Sequence, residues 1–173
     1  MFGKAMGNGF AITSVIGKKD IMESAQSTFI SSTFWTERVG PTAGLKTLQI
    51  MERDMTWETI DKKGKKIIKY LNHIASLNNL EIQISGLNAL INYNISSEFP
   101  VLIQTLITQE MLKRGFLANN NIYVSVAHTD EYVDSYIENL NEVFKLISKS
   151  NTKKELDSLL ESPLRHTGFN RIN

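Results

Sequence analysis

A long helical pattern between residues 56 and 77 constrains the fold of this chain more than any other stretch. Four apolar residues recur there at helical spacing and share one face: Ile60, Ile67, Leu71 and Ile74. Four lysines, at positions 62, 63, 65 and 66, fall on the opposite face. Acidic residues surround the lysines, so we expect a solvated face rather than a nucleic-acid patch. The pattern predicts an amphipathic helix with one buried side.

The segments after this helix predict a small α+β lobe. Strand patterns cover 80–86 and 87–95, and an extended ladder with a turn at the Asn triplet 119–121 covers 116–127. Helical patterns run from Pro100 to a stop signal at 113–115, from an N-cap at Thr129, and from a capping box at 152–155. We therefore expect helices packed on a short, mainly antiparallel sheet.

The first part of the chain has shorter patterns. Residues 10–17 are rich in Ile, Val and Thr and predict a strand that ends at Gly17. Asp20 is expected to cap a short helix. From Pro41 to about residue 51, apolar residues recur at helical spacing and predict a helix with one buried face, formed by Leu45, Leu48 and Met51.

Composition excludes several kinds of site. The 173 residues hold 19 basic and 18 acidic side chains, so no electrostatic footprint for nucleic acid or an anionic membrane is present. Cysteine is absent, which excludes disulfides, thiolate metal sites and a cysteine nucleophile. The three histidines are scattered, so we expect no metal site. Neither a signal peptide nor a membrane-spanning run is recognisable, and we expect a soluble cytoplasmic protein.

A single lysine near the start, Lys4, is set among small residues in the stretch Phe2–Gly9. Small neighbours let the backbone turn tightly and let a bulky group approach the amine. A lysine stripped of water is suited to Schiff-base chemistry with an aldehyde. The alternative interpretation is a solvated lysine in a loose terminus.

A cluster of hydroxyl side chains spans residues 27–36 and precedes the helix that Gly40-Pro41 opens. Such hydroxyls can bind a phosphate, although they can equally satisfy their own backbone in an edge loop. Arg38 could hold a substrate carboxylate, but a surface ion pair with Glu37 or Asp20 is the favoured interpretation. His128, at a strand-to-helix junction, is expected to form local hydrogen bonds rather than to act as an acid or base.

Several stretches together resemble the class III aminotransferases, the fold-type I pyridoxal-phosphate enzymes that include glutamate-1-semialdehyde aminomutase. The resemblance rests on Phe2–Gly9 and on Gln26–Arg38, and it extends to three later segments: Gln109–Gly115, Ser125–Glu131 and the tail His166–Arg171. It therefore covers nearly the whole chain. The family's usual Thr-x-x-Gly-Asn-Pro pattern differs from the spacing between Thr33 or Thr36 and Pro41 here.

The resemblance implies a function and its residues. Lys4 would hold pyridoxal 5'-phosphate as a Schiff base, and the phosphate would be bound across a homodimer interface by Thr33, with Thr36 as the alternative register. The substrates would be an amino donor and a keto or aldehyde acceptor, in either a transaminase or an aminomutase reaction. The fold would be α/β: the end of a large cofactor domain, residues 1–53, and a small α+β domain, residues 54–173.

The resemblance also implies a missing half. In the family, the Asp that pairs the pyridine nitrogen precedes the Schiff-base lysine, and only three residues precede Lys4. We therefore expect a C-terminal fragment of such an enzyme, inactive by itself. The competing hypotheses are a non-catalytic interaction module and a remnant without a stable fold.

Overall fold

The computed structural model of the chain describes residues 1–29, 33–34, 36–150 and 152–168. The chain divides into two compact units, Met1–Trp57 and Glu58–Asn173, and each is treated by itself below. The assignment of residues 1–53 and 54–173 to a large and a small domain stays a prediction. Part of the predicted hydroxyl cluster, Ser31 and Ser32, and the end of the tail motif, 169–171, lie outside the described residues.

The first unit contains short helical turns and one longer helix. Helix α1 spans Lys4–Gly7, α2 spans Lys19–Met22 and continues into a 3-10 turn, Glu23–Ser27, and α3 spans Val39–Asp54. The predicted strand at 10–17 is wrong, because the backbone there forms turns, with Phe10 N donating to Gly7 O at 3.0 Å. A single bridge between Phe2 and Ser14 remains.

Two further predictions in this unit are wrong. Helix α2 is not capped by Asp20, which lies in its first turn after the N-cap residue Lys18. Helix α3 does not bury a leucine face: Leu45 and Leu48 are 59% and 51% exposed. Its buried positions are glycines, since only a residue without a side chain lets another segment approach the helix so closely.

The second unit consists of helices on a small antiparallel sheet. Its elements are α4 Thr56–Leu77 (two residues of which precede the unit), β1 Ile82–Leu87, β2 Leu90–Ile95, α5 Pro100–Lys113, β3 Asn121–Tyr123, α6 Asp130–Ser148 and α7 Lys153–Ser158. The strand order is β1-β2-β3, with Ile84 opposite Tyr93 and Leu90 opposite Tyr123. The predicted helices and the antiparallel sheet are therefore confirmed.

The predicted ladder across 116–127 is wrong. Only β3 is extended there, and it pairs with β2 rather than with residues 116–118. The flanking hydrogen bonds explain this outcome, because Tyr93 N donates to Asn120 O at 2.9 Å and Val124 N donates to Ala89 O at 3.0 Å. The Asn triplet is therefore hydrogen-bonded to strand β2 and does not form a turn between two strands.

The hydrophobic core of the described residues lies in the second unit. Alternate residues of β2 point into it, and the apolar faces of α4, α5 and α6 cover them. Its fully buried side chains include Tyr93, Phe144, Leu71, Ile91, Leu106, Met111, Leu140 and Val143. The apolar stripe predicted for α4 is confirmed: Ile67, Leu71 and Ile74 are buried, and Ile60 packs against the core.

Candidate active site

Lys4 is the first residue of a tight turn of helix near the start of the chain. Gly7 N donates to Gly3 O at 2.7 Å, and Asn8 N donates to Lys4 O at 2.9 Å. Asn8 then adopts the left-handed conformation, with φ 47°, and ends the turn. Asn tolerates this conformation better than most residues. The backbone that carries Lys4 is therefore closed by hydrogen bonds on both sides.

Close packing of glycines against neighbouring backbone holds this turn region in place. A Cβ on Gly40 of α3 would lie 2.7 Å from the carbonyl oxygen of Ala11, which is too close for any real side chain. A Cβ on the buried Gly7 would lie 3.1 Å from Ile12 Cγ2. The Phe2–Ser14 bridge, with both hydrogen bonds at 2.7 Å, closes the segment from the other side.

The amine of Lys4 is exposed and has no hydrogen-bond or ion-pair partner among the described residues. Its neighbours Gly3 and Ala5 add little bulk, so a group of the size of an aromatic ring could approach Nζ. The small neighbours expected around Lys4 are present, whereas its amine is exposed rather than stripped of water, and its role stays a prediction.

The two threonines proposed for phosphate binding lie in exposed turns. Neither Thr33 nor Thr36 contacts Lys4 in the part of the chain that the structure describes. Glu37, which follows them, accepts hydrogen bonds from the backbone N–H groups of Val39 and Gly40, the latter at 3.0 Å. Its carboxylate therefore caps the first turn of α3, where negative charge is favoured.

The favoured interpretation of Arg38 is not supported. Arg38 is the N-cap residue of α3 and is exposed, and among the described residues it forms no ion pair with Glu37 or Asp20. Glu37 is instead engaged with the backbone of α3.

In the second unit, two lysines of the presumed solvated face of α4 bind the start of α6. Lys63 Nζ donates hydrogen bonds to the carbonyl oxygens of Val126, at 3.2 Å, and His128. Lys66 Nζ lies 2.9 Å from carboxylate oxygens of both Asp130 and Asp134. The prediction that this lysine run is simply solvated is therefore wrong for these two residues.

His128 forms the local hydrogen bonds expected of it. The ring Nδ1 of His128 accepts a hydrogen bond from the backbone N–H of Ser125 at 3.3 Å. The backbone N–H of His128 in turn donates to the carbonyl oxygen of Ser125 at 3.2 Å. Thr129 then caps α6 by accepting from Tyr132 N at 3.3 Å. Hydrogen bonds within the junction, together with those that Lys63 donates, therefore hold the junction in place.

A buried carboxylate near the end of α5 was not found from the sequence. Glu110 is 8% exposed. Burial alone would raise the pKa of its carboxyl group, but hydrogen bonds from Lys113, Gln109 and Arg114 outweigh burial and lower the pKa to about 2. The signal for it was available: cations at 113 and 114 lie three and four residues after Glu110, on one helix face.

No helix of the described residues is long and apolar enough to cross a membrane. No group of three or more His, Asp or Glu side chains among them is arranged to hold a metal ion.

Comparisons with known proteins give the setting of these residues. The family model for aminotransferase class-III matches residues 1–144. The chain is 29% identical over 156 residues to a 3-aminobutyryl-CoA aminotransferase of Cloacimonas acidaminovorans, covering 84% of this chain and 38% of that protein. It is 28% identical over 162 residues to a glutamate-1-semialdehyde 2,1-aminomutase of Ignicoccus hospitalis, with the same coverage of 84% and 38%.

A solved structure has the same fold. The FumI protein of Sphingopyxis sp. MTA144, solved in its PLP internal aldimine form, matches with a TM-score of 0.77 at 22% identity, over 91% of this chain and 39% of that one. The predicted α/β fold class is thereby confirmed. The chain spans about two-fifths of the length of the relatives that it matches.

Proposed function

This chain belongs to the class III aminotransferase family, and we propose on that premise that Lys4 is the residue that binds pyridoxal 5'-phosphate. The reaction is the transfer of an amino group from an amino donor to a keto or aldehyde acceptor. The related aminomutase reaction is the alternative within the same chemistry, and relatives with both names support keeping the two together.

The observation that carries the proposal is the unpaired amine of Lys4 on a closed turn of small residues. A primary amine fits a cofactor that is held covalently through a lysine, and the absence of a neutralising carboxylate among its described contacts leaves it available. When bound, pyridoxal phosphate supplies an aldehyde for the lysine and an electron sink for charge at the substrate Cα.

The chain's own residues then have distinct roles. Lys4 Nζ would hold the cofactor, and its amine would move the proton from the substrate Cα. The hydroxyl of Thr33, or of Thr36 in the alternative register, donates a hydrogen bond to the phosphate of the cofactor in the other subunit of a homodimer. Their exposed positions are compatible with a contact outside their own chain.

The direct test is an absorbance titration of the chain with pyridoxal phosphate, followed by borohydride. We expect a band near the visible edge in the wild-type chain that Lys4→Ala abolishes. Lys46→Ala is the matched control, because Lys46 is an exposed lysine of the same unit, on α3. Equal bands in the two variants would refute the role of Lys4. The expectation that the 173-residue chain alone has no useful transaminase activity stays a prediction, and its rate of amino-group exchange tests it.

A second candidate function, a non-catalytic interaction module, is favoured by the apolar surface of the first unit. Phe10, Ile16 and Phe29 are 54%, 67% and 94% exposed there, and no large apolar side chain of residues 1–57 is buried among those described. Large exposed apolar patches mark interaction sites. This function predicts that Lys4 can be replaced without any effect on partner binding.

A further inference from the structure

A cavity of about 490 Å³ lies in the second unit. Residues of α4 and α6 and of the segment 115–123 line it, and neither Lys4 nor the two threonines belong to it. Its volume falls in the range of roughly 300–1,000 Å³ that is usual for small-molecule sites. The inference below therefore goes beyond the proposed function and does not depend on it.

The walls of this cavity are aromatic. Phe116 and Tyr136 form an edge-to-face pair, with ring centroids 5.7 Å apart and an interplanar angle of 76°. Tyr123 and Tyr132 also line the cavity and are 70% and 64% exposed, so the space is open to solvent on their side. Aromatic rings in stacked or edge-to-face geometry stabilise one another by more than the burial of their apolar surface provides. The walls therefore favour a planar aromatic ligand.

Two asparagines of the lining have their oxygen atoms occupied. Asn119 Oδ1 accepts hydrogen bonds from Asn120 N at 2.6 Å and from Arg165 Nη1 at 3.2 Å. Asn121 Oδ1 accepts from Asn92 Nδ2 at 2.8 Å. The amide nitrogen of each remains without a partner among the described residues, so each offers N–H donors.

The ring of His128 likewise has an occupied acceptor atom and a free N–H donor. Because Ser125 N–H occupies Nδ1, the neutral imidazole carries its proton on Nε2, which has no partner among the described residues. Lys63 holds the backbone of the same residue by binding its carbonyl oxygen. The ring is therefore a fixed donor on the cavity lining rather than a mobile surface group.

The lining carries no compensating charge. No Lys, Arg, Asp or Glu is among the described residues that form it. Burial raises the pKa of Tyr136 to about 12, so this hydroxyl stays neutral at physiological pH. An ammonium or carboxylate that enters the cavity would lose part of its hydration without gaining a counter-ion.

We propose that this cavity binds a small neutral aromatic compound that carries a carbonyl oxygen, such as an aryl amide or an aryl ketone. The ring packs between the aromatic walls, and the carbonyl oxygen accepts hydrogen bonds from His128 Nε2–H and the asparagine amides. A protonated amine such as benzylamine is disfavoured because the lining holds no carboxylate to neutralise its charge.

The test uses the full chain and three probes with the same ring: benzamide, benzoate and benzylamine. Binding is followed by shifts of backbone amide signals in ¹⁵N–¹H spectra. We expect benzamide to shift signals of the segment 115–123 and the start of α6, and to bind roughly tenfold more tightly than benzylamine, as one lost hydrogen bond implies. Benzoate is expected to fall between the two.

Variants of two histidines make the test specific. His128→Phe keeps a flat ring but removes the donor, and should weaken benzamide binding about tenfold. His73→Phe is the matched control, because His73 is an exposed histidine of α4 outside the lining. His128→Gln restores a side-chain N–H and should recover most of the affinity.

Three results would overturn the proposal. They are the absence of any shift at millimolar benzamide in the folded wild-type chain, benzylamine binding as tightly as benzamide, and equal effects of the two histidine-to-phenylalanine variants. Thermal unfolding of each variant shows whether a loss of binding reflects a loss of fold, and the His128→Gln rescue decides the matter if His128→Phe is unstable.

Discussion

Lys66 of α4 lies 2.9 Å from a carboxylate oxygen of Asp134, one turn into α6. Lys66 also binds Asp130 at the same distance, so a single ammonium group joins the first turn of one helix to the middle of another. The carboxylates of Asp134 and Asp130 raise the pKa of Lys66, and the hydrogen bond that Lys66 donates lowers the pKa of Asp130.

Replacement of Lys66 tests this connection. Lys66→Met should lower the midpoint of thermal unfolding by about 2 °C, because partly exposed ion pairs contribute little and are screened by salt. Lys62→Met is the control, since Lys62 is exposed on the same helix. The difference between the two variants should shrink in high salt. A difference that persists unchanged would argue that packing of the lysine stem is responsible.

The pH dependence of this contribution has a definite sign. The raised pKa of Lys66 means that its share is fully present below about pH 10 and is lost as the pH rises through the higher pKa of the folded state. The lowered pKa of Asp130 means that its share is present above about pH 4 and is lost on acidification. Unfolding midpoints of wild type and Lys66→Met across this range should therefore differ most between these limits.

Glu110 should control stability in acid. Its pKa of about 2 in the folded chain lies below the ordinary value of 4.5, so its contribution is present above pH 4.5 and disappears as the pH falls towards 2. We expect Glu110→Gln to reduce the free energy of unfolding at neutral pH by about 3 kcal/mol, and by much less near pH 2. Chemical unfolding at several pH values measures this.

The control for Glu110 is Glu138→Gln, because Glu138 is an exposed acid of α6. It should leave stability unchanged at every pH. A constant loss for Glu110→Gln down to pH 2 would mean that its role is packing rather than ionisation.

Two glycines of α3 should respond oppositely to alanine. Gly40→Ala places a Cβ 2.7 Å from the Ala11 carbonyl oxygen and should destabilise the chain by about 1–3 kcal/mol. Gly44→Ala meets only side-chain carbons, of Ile12 at 3.5 Å and of Met6 at 3.6 Å, and should stabilise the chain by up to about 1 kcal/mol through helix propensity. Urea unfolding of both variants gives the comparison, and equal signs would contradict the packing described for α3.

The capping box of α7 should stabilise the end of the described chain. Thr152 Oγ1 accepts from Glu155 N at 3.3 Å, and Glu155 Oε2 accepts from Thr152 N at 3.0 Å. Thr152→Ala should cost about 1 kcal/mol and loosen the packing of the buried Leu156. Thr59→Ala, at an exposed interior position of α4, should cost nothing. Thermal unfolding and hydrogen exchange of α7 distinguish these outcomes.

The helices of the second unit could be predicted because each has a periodic apolar face and a recognisable end. Gly115, with φ 86°, follows α5 where the stop signal placed it, and Thr129 caps α6 as expected. The predicted face of α3 failed for the opposite reason. Leucine spacing identified a stripe, but the tight approach of Ala11 to Gly40 depends on contacts from another part of the chain.

The candidate sites could be predicted only in part. The sequence and its family resemblance pointed to Lys4, and its role stays a proposal. The partners of Lys63 and Lys66 could not be found from a helical pattern, because a wheel shows which residues share a face but not that the start of α6 lies beside it. The free N–H donors on the cavity lining depend on hydrogen bonds between segments far apart in sequence, such as Asn92 with Asn121.

The contact between Lys63 and the carbonyl of His128 also has a kinetic consequence, because it closes a loop of 65 residues. Closure of so long a loop carries an entropic cost that is repaid only after the intervening elements have formed. The β1–β2 hairpin, whose strands are joined by two residues, can form early and locally. We therefore expect the junction before α6, and with it the donor that His128 offers, to be among the last parts of the chain to acquire its native structure during folding.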